Sequence, residues 1–323
     1  MEKKNKLLTV IIPCYNEEEA LPYFYDEINR VSNILNETDF EFLFIDDGSS
    51  DRTLQVLQEL ALKDERVRYV SFSRNFGKEA AMYAGLENAK GDYIAIMDAD
   101  LQDPPSLLPE MLSAIENEGY DGVCTKRKTR KGEPVIRSFF AEMFYKIINK
   151  ISKVNMVSGA RDYFLIKRKM RDSILKMSEY NRYTKGIFNW VGFNVKWIAY
   201  DNIERVAGQT KWSFWKLFKY SKECIISFST APLAIASFAG FFFCLISLIG
   251  IIFIIIRDLI GIQSAAGWPS MICIILFVGG MQLFCIGILG QYLARTYLET
   301  KNRPLYLVAE TEEEYKNKRQ DLL

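Results

Sequence analysis

The sequence predicts an α/β protein with a mostly parallel sheet, followed by two helices that cross a membrane. Residues 7–125 alternate short apolar runs with amphipathic stretches, which is typical of strands that alternate with helices. Near residue 224 the composition changes to long uncharged runs. The 323 residues include no histidine, which limits the chemistry that the chain can perform. We therefore expect a functional domain built on the sheet and anchored by the C-terminal part.

Four apolar runs in the N-terminal part predict buried strands: LLTVIIPC, FEFLFID, VRYVSFS and DYIAIMD. Between them, stretches such as EEALPYFYDEINRVSNIL and DRTLQVLQELALKD repeat Leu, Val and Ile at helical spacing. This alternation predicts a βαβ series, in which helices cover both faces of the sheet. Because ligands of such sheets bind beyond the carboxyl ends of the strands, the polar clusters found there are candidate site residues.

Two uncharged runs, Cys224 to Ile256 and Leu259 to Ala294, each exceed the roughly 20 residues that cross the apolar part of a bilayer. A pair of buried core helices is the alternative, which the length and the absence of charge disfavour. We predict a membrane region at 229–296 with spans near 230–256 and 269–294. Its outer flanks carry basic residues: Lys211, Lys216, Lys219, Lys222, Arg295, Lys301 and Arg303.

These basic flanks predict which parts of the chain face the cytoplasm, because positive residues favour that side. We expect a cytoplasmic catalytic domain at 1–210 and a cytoplasmic tail at 297–323, in a multi-pass protein of the plasma membrane. Segments 134–152 and 211–228 are rich in Phe, Tyr or Trp and carry lysines, which predicts interfacial helices. Ordinary amphipathic core helices are the alternative for both segments.

The composition excludes several classes of function. Lys plus Arg number 41 and Asp plus Glu number 40, so there is no general basic field of the kind that nucleic-acid partners require. The absence of histidine excludes Ser-His-Asp triads and His-ligated zinc. A metal in this chain has to be held by carboxylates, amides, waters or substrate phosphates, which indicates Mg²⁺ or Mn²⁺.

The acidic cluster after the fourth predicted strand gives the most specific prediction. Asp98 and Asp100 follow the run DYIAIM, with Gln102 and two prolines close behind. Two carboxylates at a strand end can hold one cation that bridges the phosphates of a nucleotide diphosphate and neutralises the leaving group. A bare D-x-D also arises as a solvated loop, but its place after a buried strand favours the metal site.

The other three strand ends carry polar clusters as well. Tyr15, within Pro13–Glu17, offers a flat face to a nucleotide base, although a turn with a packed aromatic is the alternative. Asp46–Asp51 suits both a ligand contact and a helix cap. Arg74–Lys78 places two cations around a glycine before a predicted helix, which suits phosphate.

Together, VIIPCYNEE, IDDGSSDRT, RNFGKEAAMYAG and GDYIAIMDADLQDPP resemble the family 2 glycosyltransferases, which have the Rossmann-like GT-A fold. With the two C-terminal spans and the tail, the chain is most similar to the polyprenyl-phosphate glycosyltransferases, the group of bactoprenol glucosyltransferases and dolichol-phosphate mannose synthases. The resemblance covers almost the whole chain. The processive polysaccharide synthases of this fold carry Q-x-x-R-W, which is absent here.

The resemblance implies roles for the residues that match its motifs. Nucleotide-sugar binding is implied for Pro13, Tyr15, Glu17, Asp47, Lys78 and Asp98. The metal and diphosphate site is implied for Asp98, Asp100 and Gln102. Binding of the acceptor phosphate is implied for Arg127, Arg137, Arg205 and Lys211. Catalysis is implied for Asp98, Asp100, Asp162 and Arg205, with Asp162 at the position of a base, and the segments 181–183 and 190–192 match the acceptor side.

The implied reaction is inverting transfer of a hexose from a nucleotide-sugar, with UDP-glucose expected first, to undecaprenyl phosphate at the cytoplasmic face. The product is a lipid-linked sugar for glycosylation of the cell envelope. UDP-N-acetylglucosamine, a mannose donor and an aminoarabinose donor remain alternatives, and a non-catalytic membrane scaffold is the alternative from another class. Related enzymes form homo-oligomers, so we also expect a homo-oligomer such as a tetramer.

Overall fold

The structure is a computed structural model that describes residues 5–128, 135–152, 154, 156–201, 224–260 and 267–321. In the helices, residues 135–141, 244, 251, 254, 257–258, 268–270 and 272–273 are described by their backbone alone. The chain forms two compact units. One contains the sheet, including the C-terminal tail from Pro304, and the other contains the two long apolar helices.

The first unit is built on an eight-stranded sheet. Its strands are β1 (Lys6–Cys14), β2 (Thr38–Asp46), β3 (Val67–Phe72), β4 (Tyr93–Ile96), β5 (Gly122–Arg127), β6 (Ala160–Lys167), β7 (Val195–Tyr200) and β8 (Val308–Thr311). Their order is β7-β5-β6-β4-β1-β2-β3-β8. The β1–β2, β2–β3, β1–β4 and β5–β7 pairs are parallel. The prediction of a mostly parallel sheet is confirmed.

Helices follow most of the strands. They are α1 (Leu21–Ile34), α2 (Thr53–Lys63), α3 (Lys78–Asn88), α4 (Leu108–Asn117), α5 (Val135–Ile151), α6 (Arg168–Leu175), α7 (Thr184–Trp190), α8 (Ala231–Leu259), α9 (Trp268–Thr300) and α10 (Glu312–Gln320). Proline in the first turn suits the start of α1 and of α4, because a first-turn amide needs no helical acceptor.

Helices cover both faces of the sheet, as the sequence predicts. Alternate residues of a strand point to opposite faces. Val10 and Ile12 belong to a buried cluster with Phe24 of α1. Ile11 points the other way, and its side chain lies so close to Gly85 of α3 that a Cβ there would be 2.2 Å away. The core therefore consists of two apolar layers with β1 between them.

Strand β6 runs antiparallel between β4 and β5. Its register with β4 pairs Phe164 with Ile96. Continued by two residues, this register brings Asp162 opposite Asp98. The antiparallel insertion therefore joins an acid from the middle of the chain to the carboxyl edge of the parallel strands.

The C-terminal tail completes the sheet, which the sequence analysis did not foresee. Strand β8 pairs antiparallel with β3. Arg68 of β3 lies 2.7 Å from Glu312 of α10 and 2.7 Å from Glu41 of β2. The ring of Tyr306 stacks on Phe72, with the ring centroids 4.8 Å apart. These contacts cover the edge of β3, which would otherwise expose unpaired backbone groups.

The second unit contains the two predicted spans as helices. Stretches Ala231–Gly250 of α8 and Ile274–Thr300 of α9 are long and apolar enough to cross a membrane. Phe243 and Phe277 make an edge contact between the helices, with the ring centroids 5.4 Å apart. Helix α9 continues six residues beyond the predicted end of the span at 294.

The two segments predicted to be interfacial helices are described to different extents. Helix α5 at Val135–Ile151 agrees with the predicted helix at 134–152. Of the segment 211–228, only residues 224–228 are described, and they are helical. The position of both segments in the headgroup plane stays a prediction.

Candidate active site

The ends of β1 and β2 are joined into one edge of the site. Asp47 N donates to Cys14 O at 2.9 Å, which continues the parallel pairing beyond the strands. Asn16 has a positive φ of 55°. Its Oδ1 accepts from Ser50 N at 2.9 Å, and Glu17 N donates to Thr53 Oγ1 at 2.9 Å. The segment that follows β1 is therefore fixed against the turn that follows β2.

Three predicted nucleoside-binding positions lie at the end of β1 or directly after it: Pro13, Tyr15 and Glu17. Tyr15 is 43% exposed, so its ring is accessible for stacking. Pro13 is part of β1 and is paired with Ile45 of β2. Since β2 is a central strand, this pairing places the start of the segment firmly at the sheet edge.

Asp47 connects this edge to the loop before α3. Its carboxylate accepts hydrogen bonds from Phe76 N at 2.6 Å and from Gly77 N at 3.0 Å. Burial raises the pKa of Asp47 to about 6, although both hydrogen bonds act to lower it. Asp47 therefore holds the cationic loop in place, which is a role that the sequence analysis did not assign to it.

Lys78 brings together two other predicted site residues, Asp98 and Asp162. Its Nζ lies 2.6 Å from Asp98 Oδ1 and 2.8 Å from Asp162 Oδ2. Lys185 of α7 lies 3.3 Å from Asp162 Oδ1. Lys78 thus joins the end of β4 to β6, and Asp162 is held by two cations from two different helices.

These ion pairs determine the charge state of Asp162. Burial would raise the pKa of Asp162, but Lys185 and Lys78 together lower it well below its usual range. Burial would likewise lower the pKa of Lys78, yet Asp162 and Asp98 raise it well above its usual range. Asp162 is therefore a carboxylate at neutral pH, and its low pKa makes it a weak proton acceptor.

The acidic turn at 98–102 has a sharp bend. Leu101 has a positive φ of 57°, a left-handed conformation that side chains usually avoid. Asp100 is mostly buried, and its Oδ1 accepts from Gln102 N at 3.1 Å. The bend follows directly after the two carboxylates, and the backbone of Gln102 is held to the second of them.

The residues of this turn fit a hard divalent cation. Asp98, Asp100 and Gln102 offer two carboxylates and an amide oxygen, which are ligands that Mg²⁺ and Mn²⁺ accept. Within the described part of the chain, no three Asp, Glu or Cys side chains form a complete metal cage. Such an ion commonly keeps waters and binds substrate phosphates, so a partial protein cage suits it.

A buried cluster behind the turn was missed by the sequence analysis. Asp103 is fully buried, and its Oδ1 lies 2.8 Å from Arg161 Nε. The hydroxyl of Tyr200 donates to the same oxygen. Asp103 belongs to the quoted motif DADLQDPP, but its partners lie far along the chain, and no local pattern indicates them.

Glu79 is a second residue that the sequence analysis missed. It accepts hydrogen bonds from Thr184 N at 2.9 Å and from the Thr184 hydroxyl. Burial raises the pKa of Glu79 to about 7, which the hydrogen bonds from Thr184 only partly offset. Because Thr184 precedes Lys185, this contact holds the start of α7 next to Asp162.

The predicted acceptor residues are only partly described. Arg127 ends β5 in register with Tyr200 of β7, and its backbone N donates to Gly159 O at 3.0 Å. Arg137 lies in α5, where only the backbone is described. Arg205 and Lys211 lie outside the described residues.

The segments predicted to lie on the acceptor side differ in their exposure. The guanidinium of Arg182 is buried over the ring of Tyr83, 4.5 Å from its centroid. Trp190, at the end of α7, is 63% exposed. Of these two side chains, Trp190 is therefore the one that a ligand reaches without rearrangement.

Comparison with known proteins identifies the family. A family model described as "Glycosyl transferase family 2" matches residues 9–175, just over half of the chain. The chain belongs to glycosyl transferase family 2. It is therefore a glycosyltransferase, and the matched range covers all four polar clusters as well as Asp162. The resemblance predicted from the motifs is confirmed.

Two relatives in this family match nearly the whole chain. CsbB of Bacillus subtilis (strain 168) is 43% identical over 307 residues, covering 95% of this chain and 92% of that protein. The bactoprenol glucosyl transferase of Shigella phage SfX is 40% identical over 301 residues, covering 93% and 98%. The matched lengths include α8 and α9, so the apolar helices are part of the similarity.

Among solved structures, the chain is similar to glucosyl-3-phosphoglycerate synthase from Mycobacterium tuberculosis in complex with Mn²⁺, UDP-glucose and phosphoglyceric acid. The sequence identity is 19% and the TM-score is 0.46, covering 68% of this chain and 78% of that one.

Proposed function

We propose that this glycosyltransferase moves a hexose from a UDP-sugar, with UDP-glucose as the first candidate, to undecaprenyl phosphate. The reaction takes place at the cytoplasmic face of the plasma membrane and inverts the anomeric centre. Its product is a lipid-linked sugar that serves as a donor for glycosylation of the cell envelope.

One observation carries the choice of acceptor. The same chain contains the Lys78-bridged acidic site and two exposed apolar helices, and a relative named bactoprenol glucosyl transferase matches 93% of it, helices included. An acceptor with a phosphate head and a long apolar chain needs both an anion-tolerant site and a membrane anchor. The transfer of the relative's lipid and sugar to this chain is part of the proposal.

The tail supports the proposed topology. The pairing of β8 with β3 supports a topology in which the chain before α8 and the chain after α9 lie on the same side of a membrane. The number of crossings between them is then even, and α8 and α9 supply two. The basic flanks of both helices favour the cytoplasm for that side.

The metal proposed for the site is Mg²⁺ or Mn²⁺, held by Asp98, Asp100 and Gln102. When bound, it neutralises the charge that develops on the leaving diphosphate. Asp98 also contacts Lys78, so a cation is present at this carboxylate before any metal binds. Lys78 then remains beside Asp162, where it can offset the negative charge of the substrates.

The proposed step is a single displacement. A phosphate oxygen of the lipid forms a bond to the anomeric carbon, while the bond from that carbon to the nucleoside diphosphate breaks. The acceptor phosphate is already an anion near neutral pH, so no strong base is required. Positioning and charge stabilisation supply most of the rate.

Asp162 orients a reactant in this proposal rather than removing a proton. Its lowered pKa makes it a poor base, and both of its oxygens are held by lysines. A carboxylate that is fixed in this way can accept a hydrogen bond from a sugar hydroxyl. It also holds Lys78 and Lys185 close to the anionic substrates.

The test is a transfer assay with the full chain in detergent. Undecaprenyl phosphate and Mg²⁺ or Mn²⁺ are supplied with one donor at a time: UDP-glucose, UDP-N-acetylglucosamine, GDP-mannose or a UDP-aminoarabinose. The glycolipid is identified by its mass, and the configuration of the new bond by NMR. We expect glucosyl-phosphoryl-undecaprenol with inverted configuration.

The other outcomes separate the parts of the proposal. Product from a different donor alone would correct the sugar and keep the acceptor. Sugar transfer to undecaprenol but not to its phosphate would contradict the acceptor. Release of UDP without any glycolipid, or no reaction with any donor, would contradict the proposed function.

A further inference from the structure

The buried cluster behind the acidic turn consists of Asp103, Arg161 and Tyr200. Asp103 is 0% exposed, and both Arg161 and the Tyr200 hydroxyl donate to its Oδ1. Burying a carboxylate and a guanidinium is costly unless the geometry of the pair is good. A buried ion pair of this kind is weak evidence for a role in stability.

The cluster joins three separate parts of the sheet at the site. Asp103 follows the acidic turn after β4, Arg161 lies in β6 next to Asp162, and Tyr200 ends β7. The strands β6 and β7 are not neighbours, because β5 lies between them. Asp103 therefore ties the acidic turn to two strands that hold other predicted site residues.

The cluster also reaches a predicted metal ligand directly. The second terminal nitrogen of Arg161 lies 3.5 Å from Gln102 Oε1. A guanidinium has a planar set of donors, so one side chain can hold two acceptors in a fixed relation. Arg161 thereby holds the Asp103 carboxylate and orients the oxygen of Gln102.

The charge of Arg161 interacts with the carboxylates of the acidic turn. Burial would lower the pKa of Arg161, but the negative charge of Asp103, and to a smaller extent that of Asp98, raises it well above its usual range. Asp98, Asp100 and Asp103 lie within six residues of each other. A cation beside closely spaced carboxylates offsets their mutual repulsion, and Arg161 contacts Asp103 directly.

We infer that Arg161, Asp103 and Tyr200 are positioning residues, which hold the turn from Asp98 to Gln102 in the conformation that binds the divalent cation. They act through the metal ligands and do not touch the substrates. The inference rests on the proposed function for the presence of the metal. It goes beyond that function because it makes the strength of metal binding depend on three residues that are not themselves ligands.

Two substitutions test the inference in the full chain. Tyr200→Phe removes one hydrogen bond and keeps the ring, whereas Arg161→Gln removes the charge and the fork. Partners of metal ligands typically change metal affinity by about 10- to 100-fold. We expect Mn²⁺ to bind about tenfold more weakly in Tyr200→Phe and about 100-fold more weakly in Arg161→Gln.

The main readout is the binding of Mn²⁺ itself, which is measured from the EPR signal of the free ion. The measurement is made with and without UDP, and always in the absence of lipid. Turnover is then measured as a function of Mn²⁺ concentration. A positioning role predicts that excess Mn²⁺ restores most of the turnover. A loss of correctly folded protein would instead lower the maximal turnover and leave the Mn²⁺ affinity of the remainder unchanged.

Tyr69→Phe is the matched control. Tyr69 is a buried tyrosine of β3, and its hydroxyl donates to Glu310 at 2.7 Å. In the sheet, β1 and β2 lie between β3 and β4, so Tyr69 is far from the acidic turn. We expect it to leave the Mn²⁺ affinity unchanged. If Arg161→Gln fails to fold, Arg161→Lys replaces it, because lysine keeps the charge without the planar fork. We expect Arg161→Lys to bind Mn²⁺ more weakly than the wild type, by less than the loss of about 100-fold expected for Arg161→Gln.

Three results would overturn the inference. The first is wild-type Mn²⁺ affinity in both Tyr200→Phe and a folded Arg161 variant, and the second is an equal loss in Tyr69→Phe. The third is a wild-type chain that binds neither Mn²⁺ nor Mg²⁺. A wild type that binds Mn²⁺ and UDP but transfers no sugar to the lipid would refute the proposed acceptor alone, because the binding assay contains no lipid.

Discussion

Lys78 Nζ contacts both oxygens of Asp98, at 2.6 Å and 2.8 Å. This lysine therefore holds the carboxylate that is predicted to bind the metal. We expect Lys78→Gln to bind Mn²⁺ more tightly, because a competing cation is removed, and to turn over about 100-fold more slowly, because a positioned charge is lost.

Both quantities for Lys78→Gln are measured on one preparation, the first by EPR of free Mn²⁺ and the second by the transfer assay. Lys63→Gln, on the exposed end of α2, is the control and should match the wild type. Unchanged turnover in Lys78→Gln would show that the contact is not part of the catalytic arrangement.

Asp100 is the residue whose removal should be most damaging to the chemistry. It supplies one of two carboxylates in the acidic turn, and in the proposed mechanism its loss removes the metal that stabilises the charge on the leaving group. We expect Asp100→Ala to reduce turnover by at least about 1000-fold. Nucleotide binding, measured by calorimetry, should also lose its dependence on metal.

Asp100→Asn separates the charge from the shape of this side chain, since its amide oxygen can still accept from Gln102 N. Asp26→Asn, on the exposed face of α1, is the matched control. Retention of activity in Asp100→Ala would refute the assignment of the site.

Glu79 predicts a pH dependence of stability. Its pKa is raised from 4.5 to about 7 by burial. Around it, Asp162 acts to raise this pKa further, and Lys185 and the hydrogen bonds from Thr184 act to lower it. The folded chain therefore retains a proton on Glu79 at a pH where the unfolded chain has lost it.

The sign of the effect follows from that difference in bound protons. The proton on Glu79 stabilises the folded chain fully below about pH 4.5, and this stabilisation is lost as the pH rises to about 7. After allowance for partial exposure, the loss amounts to about 2 kcal/mol, or a few degrees in Tm. Tm in detergent, measured from pH 5 to pH 8, should fall more steeply in the wild type than in Glu79→Gln.

Asp47 contributes equally to the slope of Tm against pH in the wild type and in Glu79→Gln, because its pKa is raised to about 6 as well. The difference between the two slopes is therefore the quantity that reports Glu79. Glu59→Gln, on the exposed side of α2, should have the wild-type slope. Parallel slopes for the wild type and Glu79→Gln would contradict the prediction.

Gly48 occupies a position that no other residue fits. It has a φ of 66°, and a Cβ there would lie 2.4 Å from the backbone carbon of Arg74. Gly48→Ala forces the cationic loop away from the end of β2. We expect it to destabilise the chain by about 3 kcal/mol, the sum of backbone strain and overpacking.

Gly119→Ala is the matched control, because Gly119 has a φ of 80° with open space around the position of a Cβ. It incurs the backbone strain alone, about 1–2 kcal/mol. Thermal unfolding of both variants in detergent measures the difference. Equal losses would show that the loop at Arg74 yields freely.

Glu312 predicts how much the tail contributes to stability. It accepts from Arg68 Nε at 2.7 Å and from Tyr69 N at 3.3 Å, and it is buried. Glu312→Ala leaves the mostly buried Arg68 with Glu41 as its remaining carboxylate partner. Removing one partner of a buried ion pair costs about 3 kcal/mol, so a clear fall in Tm is expected.

Glu313→Ala tests the neighbouring, exposed residue of the same helix and should leave Tm unchanged. If both variants had the wild-type Tm, the tail would not be a stabilising part of the sheet.

The sequence predicted the first four strands and their polar ends because each apolar run is continuous and ends in turn residues. It did not predict the antiparallel placement of β6, since the run ARDYFLIK fits either direction. It also missed the partners of Asp103, which lie 58 and 97 residues away. Such pairings depend on which strands become neighbours, and short-range patterns do not report that.

The tail was missed for a different reason. Strand β8 has the sequence VAET, which is too short and too polar for an apolar run. Directly after it, Glu312 pairs with Arg68, which is a charged residue within a buried strand. Hydrophobic patterning does not reveal a strand that is short and polar and whose neighbouring contacts are ion pairs.

The position of β8 after both apolar helices has a consequence for biosynthesis. A ribosome completes the first seven strands before either apolar helix emerges, and the edge of β3 remains open until both helices have been synthesised. During that interval the nascent chain offers a template to any extended segment nearby. Quality control by chaperones at this stage would act on a sheet that lacks one strand, and a fusion partner attached directly after α9 would compete with the native closing strand.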